Sequence, residues 1–185
     1  MSGTNYFSYF PQVEHTLPTG TKVVTDIFKR VKLRSLSMVV KSSIFYKYTI
    51  RENESPEDLA NRYYGDTQYY WLILYANEII NVYAQWPRNN RDFENYIVAK
   101  YGSVESVAAV IDTENFDELK VHHYEDEKGN WISKEMWLLS TDPYKLTRVI
   151  TTYEWEYRLN EDKREINVIK KNYVQQIISE MNRLF

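Results

Sequence analysis

The first twenty-two residues carry neither a helical nor a strand period. Tyr6, Phe7, Tyr9 and Phe10 cluster ahead of Pro11, and polar residues, Pro18 and Gly20 follow. Aromatics in such a segment need a surface to pack on, of this protein or of another. The arm is expected to be mobile alone and to order against a partner. Over residues 23–34, Val24, Ile27, Phe28 and Val31 recur at helical spacing behind Thr25 or Asp26, which predicts a short capped helix. The period then becomes two: Ile44, Tyr46, Tyr48 and Ile50 mark a strand. Ser55, Pro56 and Asp58 form a helix start, and Leu59, Ala60 and Tyr63 give it an apolar side. Gly65 ends it in the left-handed C′ position. Asp66 or Thr67 caps a second helix, where Trp71, Leu74 and Tyr75 share a face and Asn77 is the terminator. Trp71 and Leu74 are expected to be buried between the strand and the two helices.

Beyond this unit, Pro87 is read as opening a helix with Phe93, Tyr96, Ile97 and Tyr101 on its buried side and Gly102 at its end. Ser103 caps a further short helix through Ile111. A hairpin turning at Lys128-Gly129-Asn130 joins strands at 121–125 and 131–134. Residues 147–159 alternate, with Val149, Thr151, Tyr153, Trp155, Tyr157 and Leu159 on one side and Glu154, Glu156 and Arg158 on the other. That pattern predicts a long strand. A turn at 160–164, a return strand at 165–169 and a helix carrying Tyr173, Val174, Ile177, Ile178, Met181 and Leu184 close the chain. The expected class is α+β, in three parts. These are an arm with a short helix (1–43), a strand–helix–helix core with following helices (44–111), and a β-hairpin region with a C-terminal helix (112–185).

Composition narrows the function. The 185 residues hold no cysteine, which excludes disulfides, thiolate metal sites and cysteine nucleophiles. The N-terminus lacks the basic and apolar regions of a signal peptide, and no apolar run approaches the roughly 18 residues of a membrane span. A soluble protein of a reducing cytoplasm is expected, with no membrane partner. Seventeen Tyr, seven Phe and five Trp fit either a Tyr-rich core or a chain that buries much of its surface against partners, since Tyr is enriched where protein meets protein. Chemistry is sparse. The five glycines form no phosphate-binding loop, and no HExxH or GxSxG occurs. His122 and His123 are neighbours on an expected strand, so their side chains should leave opposite faces and share no metal. No enzyme, metal or cofactor is expected.

Charge is unevenly spread although the net is only −3. Between Lys22 and Lys47 seven basic residues face Asp26 alone, and between Asp112 and Glu135 eight acids face three lysines. No nucleic-acid motif accompanies the basic stretch, so nucleic acid is not expected as a partner. The two stretches fit either solvated faces or opposed patches that set register between protein subunits, and in the second case Lys29, Arg30 and Lys32 are the candidate basic contacts.

The run Tyr48-Thr49-Ile50-Arg51 through Ser55-Pro56-Glu57-Asp58-Leu59-Ala60, then Tyr63-Tyr64-Gly65-Asp66 and Asn77, resembles a lysin-motif (LysM) module. Asn53-Glu54-Ser55 stands where that family has Gly-Asp-Thr, and its closing strand is not recognisable after Asn81. The longer pattern Tyr64-Gly65-Asp66, Tyr70-Trp71-Leu72-Ile73-Leu74 and Asn77, with an exit through Tyr83, Trp86 and Pro87, resembles the LysM-like baseplate wedge subunit of contractile-tailed bacteriophages. That resemblance implies a structural, non-enzymatic tail protein without a cofactor. It would be assembled in the host cytoplasm into the virion, bridge wedge proteins, and help join wedges around the central hub. Its partners would be other wedge and hub-proximal proteins, and further copies of itself in the ring. The implied core motif is Tyr48, Ile50, Leu59, Tyr64, Gly65, Trp71, Leu74 and Asn77. The expected partner contacts are Tyr6, Phe7, Tyr9 and Phe10 with the basic trio. The LysM core alone implies an alternative, a peptidoglycan-binding module.

Overall fold

A computed structural model describes residues 6–25, 43–108, 120–139 and 148–184. The expected helix beyond Thr25, the trio Lys29, Arg30 and Lys32, and the acids from Asp112 to Glu118 lie outside the described residues. Two compact units are formed, residues 1–86 with 164–185 and residues 87–163.

The first unit starts with a 3-10 turn at Tyr6–Tyr9. An antiparallel ribbon follows, β1 (Gln12–Leu17) against β2 (Gly20–Thr25), paired from Gln12↔Thr25 to Leu17↔Gly20. The arm is therefore regular rather than structureless, and residues 23–25 are strand rather than helix. Nothing in the hydrophobic pattern could mark it, because no residue of the ribbon is buried. β3 (Phe45–Thr49) leads to α1 (Pro56–Tyr64). The Ser55 hydroxyl accepts from Asp58 N at 3.0 Å, and the Asp58 carboxylate accepts from Ser55 N at 3.2 Å. This reciprocal pair satisfies two donors that the first helical turn leaves open. Gly65, at φ 86°, ends α1 in a conformation that a Cβ resists. Asp66 caps a 3-10 turn (Thr67–Tyr69) that runs into α2 (Tyr70–Ala76), and Asn77 closes α2 as expected.

The partner of β3 is β7 (Glu165–Ile169), antiparallel from Phe45↔Ile169 to Thr49↔Glu165. The strand missing after Asn81 is thus supplied from beyond the second unit. Ile50, Leu59, Ala60, Ile73, Trp86, Ile166 and Val168 form one core over this strand–helix–helix–strand arrangement. A second core gathers Tyr9, Trp71, Leu72 and Ile169 with Val174 and Met181 of α7 (Lys171–Leu184). Trp71 is buried as expected, but on the side of α2 that faces the arm and α7. Leu74 is only half-buried. A short helix, α3 (Val82–Gln85), leads out of the unit.

In the second unit α4 spans Asn90–Tyr101, capped by Asn89 rather than opened by Pro87. Phe93, Ile97 and Val107 make its core, with Tyr96, Tyr101 and Tyr153 packed around them. After Gly102 the described residues form a turn, with Ser103 Oγ accepting from Ser106 N at 3.1 Å, where a helix was expected. The hairpin is present as β4 (Val121–Glu125) and β5 (Trp131–Ile132), and β6 (Arg148–Thr151) pairs with the other edge of β4. Ser133 starts a short helix, α5 (Lys134–Leu139), at the expected end of the β5 strand.

The largest correction is the long strand. Only 148–151 are extended, and α6 covers Thr152–Asp162. Thr151 accepts from Glu154 N at 3.0 Å and caps the helix. Its buried residues are Glu156 and Asn160, whereas Tyr157 and Leu159 are exposed. A helix that buries polar groups defeats any reading by hydrophobic period. The Glu-Tyr-Trp alternation is incidental to its packing.

Candidate interaction surfaces

The arm aromatics divide. Tyr9 and Phe10 are buried, and the Tyr6 and Tyr9 rings each lie 5.7 Å from that of Trp71. Tyr6 also meets Phe10 edge-on at 4.9 Å. Tyr6 and Tyr9 therefore belong to this chain's own second core, whereas Phe7, 49% exposed, faces outward. The sharp expectation of an arm without an intramolecular seat does not hold. Tyr6 and Tyr9 pack on Trp71, and Phe10 is buried against Tyr6.

The core-motif residues act on the fold. Ile50 and Leu59 are buried among the first core. The Tyr48 hydroxyl donates to Glu54 Oε2 at 2.9 Å, and Arg62 bonds both groups. Burial, then the Glu54 carboxylate, raises the Tyr48 phenol above its usual value. The Tyr64 hydroxyl donates to the Ile169 carbonyl at 2.9 Å, and burial pushes its ionisation well above the ordinary tyrosine value. Asn77 Nδ2 donates to Ile73 O and to Asn167 O, and its Oδ1 accepts from Asn167 N, each at 2.8 Å. One side chain thus ends α2 and pins it to β7.

The second unit holds two buried charge clusters that the sequence did not reveal. Glu156 accepts from Lys100 Nζ at 2.6 Å, from the Tyr101 hydroxyl at 2.7 Å and from the Tyr96 hydroxyl at 3.1 Å. Burial disfavours its charge, but the bonds from Lys100 and Tyr101 outweigh that and hold the carboxyl below its usual range. In the other cluster, Nδ1 of His122 and Nδ1 of His123 lie 2.8 Å apart, and His123 Nε2 lies 3.0 Å from Glu125 Oε1. The rings do not diverge as expected, because the register of β4 on β6 is broken between Val121 and His123. Trp131 stacks on His123 at 4.1 Å and Trp155 on His122 at 4.9 Å. Arg158 binds Glu125 at 2.7 Å and Glu154 at 2.7 Å. Both nitrogens of His123, Nδ1 of His122 and both acids have protein partners, which makes the cluster a packing network. Among the described residues no three acidic or histidine side chains gather as a metal-holding group.

Exposed apolar side chains concentrate in three places. They are Val13, Val23 and Val24 on the ribbon, Ile80 and Tyr83 after α2, and Trp131, Met136, Leu138 and Leu139 around α5. Clustered outward apolar groups of this kind are features of contact surfaces. The sequence model of a family described as "Base plate wedge protein 53" matches residues 5–184. The chain belongs to that family. Its relative "Baseplate wedge protein gp53" of Enterobacteria phage T4 is 25% identical over 186 residues, covering 96% of this chain and 94% of the relative. Family membership spans both units, so the buried charge clusters of the second unit lie within the family's extent, as does the strand–helix–helix–strand core.

Proposed function

We propose that this protein is a structural subunit of a phage tail baseplate wedge, one that bridges neighbouring wedge proteins and helps join wedges around the central hub. The observation that carries the reading is the family match over nearly the whole chain, residues 5–184. Outward apolar groups on both units support it, since a bridging subunit needs more than one contact surface. Phe7 and the basic trio Lys29, Arg30 and Lys32 contribute further contacts, the trio by steering association with acidic neighbours. Assembly in the host cytoplasm, and contact with further copies of this chain in the ring, follow from the same role. The buried clusters around Glu156 and Glu125 serve rigidity rather than catalysis.

The test is reconstitution. Wedge proteins assembled with this chain should sediment as wedges that associate into rings, and those assembled without it should remain separate. Reversing Lys29, Arg30 and Lys32 to Glu together should slow association most at low ionic strength, because screening acts over about 10 Å at 0.1 M salt. Rings that form equally well without the chain would overturn the proposal, as would retention of the purified chain on peptidoglycan with no binding to wedge proteins.

A further inference from the structure

Residues 77–86 leave α2 as a short loop with α3 inside it, and they are tied at both ends. Asn77 is fixed to Ile73 and Asn167 by the three bonds described above. Trp86 Nε1 donates to the Glu54 carbonyl at 2.8 Å. Between them the Gln85 side-chain oxygen accepts from both Ile80 N and Asn81 N at 2.8 Å. Ile79 and Val82 pack inward on the first core. Glu78 sits at φ 55°, a left-handed conformation that a residue with a Cβ resists and that the surrounding bonds impose. The outward products of this arrangement are Ile80, 70% exposed, and Tyr83, 92% exposed.

We infer that Ile80 and Tyr83 form a preformed apolar knob that seats in a pocket of a neighbouring wedge protein, with a basic side chain at the pocket rim facing Glu78. The inference rests on the wedge reading and names one of its contacts. A backbone already fixed in the bound shape loses little entropy on binding, which a free loop with the same side chains would lose. Tyr is enriched among residues whose truncation costs most at interfaces. Glu78 is the sole charged residue from Thr67 to Pro87, so a pocket that matches this surface is apolar with a positive rim. The two side chains offer roughly 300 Å². That is well short of the about 800 Å² per partner that a stable pair of proteins buries. The knob therefore does not hold two copies of this chain together, and it fits an assembly in which the chain is also held elsewhere.

Wedges assembled without this chain are the probe, titrated with the full-length wild type and with Tyr83→Ala, Ile80→Ser and Glu78→Lys. Tyr83→Ala should weaken binding by about 30-fold or more, and Ile80→Ser by about tenfold. Glu78→Lys should weaken it at low salt and less at high salt. Melting temperatures of the two knob variants should match wild type, because neither side chain is packed in the free chain. A wild-type chain that does not bind wedges at all overturns both the wedge reading and the knob. Wild-type binding that Tyr83→Ala leaves within threefold overturns the knob alone. Self-association of the wild type that Tyr83→Ala abolishes would make a second copy the occupant and overturn it too, as would protection of Tyr83 from hydroxyl-radical footprinting in the free chain.

Discussion

Replacing Glu156 by Gln isolates the buried charge that joins α4 to α6. The side chain is 8% exposed and accepts three hydrogen bonds, one of them from an ammonium. Gln keeps the shape and one acceptor oxygen, but it loses the charge that answers Lys100 and puts a donor where the Tyr96 hydroxyl now donates. Removing one partner of a buried ion pair costs about 3–5 kcal/mol. The Lys100 side chain is 46% exposed and can rehydrate, which discounts the figure to about 2–4 kcal/mol. For a chain of this length that is a fall in melting temperature of roughly 5–15 °C. The assay is urea unfolding followed by tryptophan fluorescence, since Trp131, Trp137 and Trp155 report on the same unit. The pH dependence has a fixed sign. The folded carboxyl titrates below its unfolded value, so its contribution is complete above about pH 4.3 and is lost as pH falls through the folded value. The gap between wild type and variant should therefore close in acid. A gap under about 0.5 kcal/mol at pH 7, or one that widens below about pH 4, would refute the argument.

Trp71→Ala should destabilise the first unit by about 3–5 kcal/mol in the same assay, because the indole is buried beneath Tyr6 and Tyr9. Phe10→Ala should cost about 3 kcal/mol if the arm is part of the core, and an unchanged melting curve would return it to the role of a free docking segment. Asn77→Ala removes three hydrogen bonds and leaves Asn167 N without its acceptor, so about 1–3 kcal/mol should be lost. Faster amide exchange across β7 is the accompanying sign.

What could be read from the sequence was what neighbouring residues decide. Ser55, Pro56, Asp58 and Gly65 specify α1 within ten positions, and the wide apolar face of α7 needs no partner to be recognised. Pairing across the sheet was not legible, because nothing in Phe45–Thr49 names Glu165–Ile169 as its partner. α6 was misread for a different reason. Its inward side is Glu156 and Asn160, and hydrophobic period is blind to a helix held by polar bonds. The ribbon β1–β2 buries nothing, so alternation had no cause to appear. The register break in β4 that turns the two histidines toward each other leaves no trace in residue type. Among the candidate contacts, the arm was recognised as a docking element, but its seat, Trp71 of the same chain, was not. Tyr83 is legible as part of a motif, but its 92% exposure is set by the fold.

The clasp between Arg88 and Asn160 has a consequence for the order in which the chain folds. Asn160 Oδ1 accepts from Arg88 N at 2.8 Å and its Nδ2 donates to Arg88 O at 3.0 Å, which joins positions 72 residues apart at the two ends of the second unit. The first unit cannot complete its sheet until a strand 116 residues downstream of Thr49 has left the ribosome. Closing so long a loop in free chain costs about 4 kcal/mol of entropy, and a loop shortened to roughly 45 residues by the clasp costs about 1 kcal/mol less. The second unit, synthesised first in full, thus acts as a splint for its predecessor. A nascent or truncated chain ending before Glu165 leaves β3 unpaired, so unfinished copies present no completed module to a growing wedge.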